Sequence, residues 1–343
     1  MIGRGSALCD VILLACLLSL GAVFINRYTD VTVQRRNFRS RDFRLPSIFT
    51  SDEESPDEYV PSTPSVAFPD DGAVSQQTID ELLRRIPDTR PSVCRQRNHH
   101  QLPRASVVIV FSDYEFYDAK LTLSSMMRDE DLHQLVTEVL LVDDASNHDE
   151  VLRDIENYIR FVSSSFPAVR LVRLRVRGGR ERARSLAVAH HVTSDVVVFV
   201  DAGVICMRGW LSPLLEQMDG ATDGLATIAV PHYDHLTHPV TLEYAETDRD
   251  LVTTLSWSLS IRMRRHQNND SSDGGLSRTV PVLRGEVFAV RRTFLSSIGG
   301  LYDSQLEDGS GAGQHVELSL RTWLCGGSIK VSSLLHFMRN NNK

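Results

Sequence analysis

The stretch Asp195-Val-Val-Val-Phe-Val-Asp201 decides how this chain is read. An uninterrupted apolar run between two aspartates predicts a strand buried on both faces, as in a parallel sheet. A carboxylate at the C-terminal tip of such a strand lies where open α/β sheets bind their ligands. Downstream, Gly209-Trp-Leu-Ser-Pro-Leu-Leu215 opens an amphipathic helix.

Strands and helices alternate on either side of this run. Val107 to Phe111, Glu138 to Val142, Val169 to Leu174, Val196 to Val200 and Thr227 to Val230 read as short apolar strands. Helical patterns cover Ala119 to Arg128, Val151 to Ser163, Arg182 to His191 and Leu211 to Met218. That order predicts an α/β fold with a mostly parallel sheet and helices on both faces. Phe111, Asp143-Asp144 and Asp201 then end neighbouring strands around one crevice.

Before Cys94 the composition changes. Ala7 to Ile25 is nearly all apolar, long enough to span a bilayer, and reads as a signal anchor over 7–25 behind a tail of residues 1–6. A cleaved signal peptide is the alternative. Residues 26–88 run from basic (Arg35 to Arg44) to acidic (Ser51 to Tyr59) and then to Pro61, Pro64 and Pro69. They read as a flexible stem, with a short helix from Thr78 to Arg85. Residues 89–343 form the folded domain. Of five cysteines, Cys9 and Cys16 lie in the anchor, which leaves Cys94, Cys206 and Cys325 and at most one internal bridge. Asn269-Asp-Ser271 is a glycosylation sequon. The net charge of −7 argues against a nucleic-acid partner, and no serine-protease or P-loop arrangement is present.

Several motifs follow one another in a recognisable order. They are Ser106-Val-Val-Ile-Val-Phe111, Leu141-Val-Asp-Asp-Ala-Ser146, Arg177-Gly-Gly-Arg-Glu-Arg-Ala-Arg184, Asp201-Ala-Gly203, Gly300-Leu-Tyr-Asp303, Glu317-Leu-Ser-Leu-Arg321 and Trp323-Leu-Cys-Gly-Gly327. From about Thr89 to Arg339 the chain resembles the polypeptide N-acetylgalactosaminyltransferases, nucleotide-sugar enzymes of the glycosyltransferase A-type fold. The resemblance implies transfer of GalNAc from UDP-GalNAc to Ser or Thr hydroxyls of proteins, in the Golgi lumen, from a single-pass type II anchor.

It also implies roles for particular residues. Asp144 falls where the family contacts uracil, and Arg177 where an arginine contacts the nucleotide. Asp201 and His336, in Leu334-Leu-His-Phe-Met-Arg339, take two of three metal-ligand places. Manganese would stabilise the departing diphosphate as a Lewis acid. Four departures point to impairment. The third metal ligand, a histidine in the family, is Gly203. The acidic residue beside the donor sugar is Gln314, which cannot carry negative charge. Glu286 in Arg284-Gly-Glu286 replaces paired glycines. Relatives continue past the His336 region into a donor-closing loop, and most add a β-trefoil; this sequence stops at Lys343, so the reading expects neither. Val331 replaces the family partner of Cys94, and Cys325 lacks its downstream partner. Two residues inserted between Asp303 and Glu317 make Glu307 or Asp308 alternative acids.

The alternative function is a catalytically inactive relative that binds nucleotide or protein and regulates active enzymes. Simpler readings accompany several residues. Asp143-Asp144 suits a turn or cap, and Arg180, Arg182 and Arg184 suit solvated helix charges. His232, His235 and His238 read as solvated loop residues, His190-His191 as structural, and Trp257 as either an acceptor-side aromatic or a core residue.

Overall fold

The computed structural model describes residues 49–50, 80–81, 84, 102–129, 131–165, 168–218, 223–238, 243–244, 251–256, 261–265, 277–301 and 312–339; side chains of 232–238 and 333–339 fall outside the description. The segment 7–25, Cys94, Trp257, Asn269, Glu307 and Asp308 lie outside it too. Among the described residues no helix is long and apolar enough to cross a membrane.

The strands are β1 (Phe49–Thr50), β2 (Ala105–Phe111), β3 (Val136–Asp143), β4 (Val169–Arg173), β5 (Val196–Val200), β6 (Val204–Cys206), β7 (Thr227–His238), β8 (Glu243–Tyr244), β9 (Leu251–Ser256), β10 (Ile261–Arg265), β11 (Ser277–Thr279), β12 (Val287–Arg291) and β13 (Ser328–Arg339). The helices are α1 (Glu115–Met126), α2 (Leu132–Leu135), α3 (Asp149–Ser165), α4 (Arg180–His190), α5 (Ser212–Glu216), α6 (Arg292–Ser297) and α7 (Ala312–Leu324). Asp80, Glu81 and Arg84 are helical, inside the predicted Thr78 to Arg85 segment.

The main sheet has the order β11-β13-β7-β12-β5-β2-β3-β4. Its block β5-β2-β3-β4 is parallel throughout, as is β13 on β7. The mixed character comes from β12, which runs antiparallel between β5 and β7. The sequence pattern had marked β2, β3, β4, β5 and the start of β7, but not β12 or β13. A second sheet joins β1, β9 and β10. Phe49–Thr50, in the segment read as stem, adds to it beside β9. The histidines at 232, 235 and 238 lie in the strand β7 rather than in a loop.

Alternation within each strand explains the double burial. Val107 and Ile109 of β2, with Val196, Val198 and Val200 of β5, pack with Phe116 and Leu123 of α1 and Ile155 of α3. Val108, Val110, Val197 and Phe199 face the other way, onto Ala183 and Ala187 of α4 and Leu318 and Trp323 of α7. Full burial of one such side chain contributes about 1.5–3 kcal/mol. Helices α2, α6 and α7 were not read from sequence, and the four helices predicted between the strands coincide with α1, α3, α4 and α5 to within a few residues. The last is shorter, Ser212–Glu216, with a proline in its first turn.

Glu138 ties the far edge of this core. On β3 it is buried, accepts from the Ser106 hydroxyl at 2.8 Å, from Thr193 N at 2.8 Å and from the Thr193 hydroxyl at 2.7 Å, and pairs with Arg170 of β4. Burial alone would raise its pKa, yet the hydrogen bonds from Thr193, Ser106 and Arg170 hold the carboxyl below its ordinary value. A lowered folded-state pKa contributes stability that is complete above the unfolded value of about 4.3 and disappears as pH falls through the folded one. Glu138→Gln is therefore expected to cost about 1–3 kcal/mol at neutral pH. Urea denaturation between pH 7 and 3 should show the variant losing less of its remaining stability in acid than the parent does.

Candidate functional site

The crevice is built at the C-terminal ends of β5, β2 and β3. Register places Phe111 opposite Asp143, and Asp144 N donates to the Phe111 carbonyl at 2.9 Å. After β5 the chain turns sharply. Asp201 N donates to the Glu286 carbonyl at 2.8 Å, and Val204 N to the Asp201 carbonyl at 3.3 Å. Gly203 sits in that turn at φ +89°, a value L side chains rarely adopt. Its N–H donates to the Thr122 hydroxyl at 3.0 Å and to the Asp118 carbonyl at 3.3 Å, fastening the turn to α1.

Asp201 is not a free carboxylate. Its Oδ1 accepts from Arg184 at 2.6 Å and its Oδ2 from Arg180 at 2.9 Å. Arg184, read from sequence as a solvated helix charge, is only 1% exposed at its side chain. It also donates to Glu181 at 3.0 Å and to the Gly285 carbonyl at 3.1 Å, and its guanidinium lies 5.4 and 5.5 Å from the ring centres of Phe199 and Phe288. The correction has a local cause: Arg184 shares the inward face of α4 with Ala183 and Ala187, whose small side chains leave room beside it. Burial lifts the Asp201 carboxyl above its ordinary value; Arg184 and Arg180 oppose the rise, while Glu286 and Glu181 add to it. Glu181 goes the other way: against burial, Arg184 and His315 hold it down at about 2.

On the β3 side, Asp144 is buried and accepts from Gly178 N at 2.9 Å and Gly179 N at 2.8 Å. It thereby shapes the loop that leads into α4. Arg177 donates to the Asp144 carbonyl at 3.3 Å and pairs with Asp113. From sequence, Asp113 carried no assigned role. Its carboxylate also accepts from Asn147 N at 2.9 Å, and it sits at φ +47°. The neighbouring Asp143 caps its own turn, accepting from Ser146 N at 2.9 Å, and pairs with Arg173 at 3.0 Å.

The other wall comes from α7. Gln314 is buried near its start, and the adjacent His315 Nε2 lies 3.3 Å from Glu181 Oε1. Gly285, at φ +79°, lets the histidine close in; a Cβ there would stand 2.2 Å from the His315 ring. Glu286 is buried with an oxygen 3.0 Å from Arg284. The stretches holding Gly285 and His315 were marked in sequence, but their contact was not, because it joins segments about thirty residues apart.

A divalent cation needs oxygen or imidazole donors that are not already engaged. Both Asp201 oxygens accept from guanidiniums, Gly203 offers no side chain, and among the described residues no three His, Cys, Asp or Glu side chains are grouped to hold a metal. His336 lies on β13 in register with His232, and its side chain is outside the description. At about 4 Å, two like unit charges repel by about 4 kcal/mol at an effective dielectric near 20. A divalent metal on Asp201 carries twice that charge and would meet about double that repulsion from Arg184 at the same distance. The described donor set, as arranged, does not fit a divalent ion.

A crevice at the ends of parallel strands, with carboxylates and arginines on its rim, is the arrangement of a nucleotide-binding α/β domain. The chain belongs to glycosyl transferase family 2, whose model matches residues 120–291. The curated relatives it matches are polypeptide N-acetylgalactosaminyltransferases. Polypeptide N-acetylgalactosaminyltransferase 5 of Rattus norvegicus is 32% identical over 267 residues, 76% of this chain and 27% of that protein. Polypeptide N-acetylgalactosaminyltransferase 13 of Homo sapiens is 31% identical over 260 residues, 74% of this chain and 45% of that one. The chain thus spans less than half the length of these relatives. A crystal structure of GalNAc-T7 with UDP, GalNAc and Mn2+ shares the fold, with a TM-score of 0.63 at 20% identity over 91% of this chain and 62% of that one.

Two substitutions check this geometry. Gly203→His restores a ligand type but forces a side chain into a positive-φ turn, so it is expected to cost about 1–2 kcal/mol. Manganese titration followed by electron paramagnetic resonance should show no gain in affinity, since Asp201 remains ion-paired. Gly285→Ala is expected to cost about 2–5 kcal/mol in urea denaturation, from backbone strain and collision with His315.

Proposed function

We propose that this chain is a glycosyltransferase of the polypeptide GalNAc-transferase type, taking UDP-GalNAc as donor and protein Ser or Thr as acceptor, with impaired transfer. The observation that carries the reading is Asp201, held at the end of β5 beside the ends of β2 and β3. In this reading Asp144 and Arg177 serve the nucleotide, and Asp201 with His336 stands in the family's metal positions. The use of manganese is weakened because Asp201 already carries two arginines. Gln314 occupies the place of the acid beside the donor sugar and can hydrogen-bond there, but it cannot stabilise positive charge at the sugar. The same reading sets the domain in the Golgi lumen behind a 7–25 anchor and stem, with Asn269 as a glycan acceptor.

The second reading, a nucleotide- or protein-binding regulator without turnover, is favoured by the same engaged carboxylate. Assay of the full chain with UDP-GalNAc and an acceptor peptide separates the two. The parent is expected to turn over slowly, and Gln314→Glu to raise turnover by at least about tenfold, within the range that one placed electrostatic group contributes. If both proteins bind UDP yet neither transfers sugar, the regulator reading replaces the enzyme.

A further inference from the structure

Resting on the donor-site reading above, we propose that Arg180 is a built-in cation for the nucleotide diphosphate, so that the crevice takes a nucleoside diphosphate without a divalent ion. Arg180 opens α4 with 39% of its side chain exposed. It differs from Arg184, which is enclosed and shared among Asp201, Glu181 and the Gly285 carbonyl. Through one nitrogen Arg180 donates to Asp201 at 2.9 Å, and another lies 3.7 Å from Glu115. Asp201 and Glu115 thus fix the guanidinium at the rim from two sides. A guanidinium has five N–H donors, so most remain for an incoming ligand.

The geometry suits a diphosphate. The planar fork of arginine matches two phosphate oxygens, and charge-assisted bonds of this type are about twice as strong as neutral ones. Arg177, half-exposed and held by Asp113 and the Asp144 carbonyl, supplies a second cation on the β3 side of the crevice. Asp201 keeps its place at the end of β5 but acts as a positioning residue: it orients a guanidinium instead of ligating a metal. Enclosed Arg184 beneath it disfavours exchange of Arg180 for a doubly charged ion.

Calorimetric titration of UDP into the full chain, once in a chelator and once with manganese, tests this. Expected is binding in chelator that manganese does not strengthen, and that Arg180→Gln weakens about ten- to hundredfold, as loss of a charged hydrogen bond does. Arg182→Gln, an exposed change of equal charge on the same helix, should leave binding unchanged, which separates contact from general field. Arg180 is partly exposed, so circular dichroism should show the variant folded. Metal-free binding that Arg180→Gln leaves intact overturns the proposal. So does binding that needs manganese and persists or improves in Arg180→Gln; either result leaves the donor-site reading standing. Absence of UDP binding by the folded parent in both buffers overturns the two together.

Discussion

Arg184 enters the interior beneath the end of β5 beside the paired rings of Phe199 and Phe288, and acceptors from three parts of the chain close on it. Asp201 comes from the strand end, Glu181 from one turn back on α4, and the Gly285 carbonyl from the approach to β12. An enclosed guanidinium without such partners would be strongly destabilising, because breaking a buried pair costs about 3–5 kcal/mol. The pair therefore constrains the strand end, the helix start and the β12 approach to one arrangement. His315 extends the constraint to α7 through Glu181 and the close pass of Gly285.

This constraint sets the electrostatics of the crevice. Acids and arginines alternate around it: Asp113 with Arg177, Asp201 and Glu115 with Arg180, Glu181 and Asp201 with Arg184. The carboxylate at the strand end is neutralised from within the chain rather than left as a bare oxygen ligand. Its position agrees with a family fold in which GalNAc-T7 has been seen with UDP, GalNAc and Mn2+. Its bonding does not resemble a vacant metal ligand. The glycine turn follows the same logic, since Gly203 is held by α1 at a backbone angle that a larger side chain would strain.

Much of the fold was legible because period-two burial leaves a plain mark. Runs such as Val196 to Val200 are apolar at every position only when both faces are covered, and β2, β3, β4, β5 and the start of β7 were placed within a few residues. β12 and β13 were not read, although Val287 to Val290 is just as apolar, because alternation with helices suggests parallel neighbours and gives no sign of an antiparallel insertion. At the site, the positions of Asp144, Arg177, Asp201 and Gln314 were named in advance, but their bonding was not. Arg180 and Arg184 looked like charges on a solvated helix. A helix start in sequence does not say which face its neighbours will cover.

The sequence by itself determined the strand ending at Asp201, the alternation that builds an α/β sheet, and the family whose order of motifs it repeats. These are local matters, decided by side-chain type and spacing within short windows. Only the tertiary structure decided that Asp201 would be held by two arginines, that Arg184 would be enclosed, and that His315 would meet Gly285. Those outcomes depend on contacts between segments 17 to 101 residues apart, where a charge is defined by the low-dielectric company it keeps rather than by its neighbours in the chain.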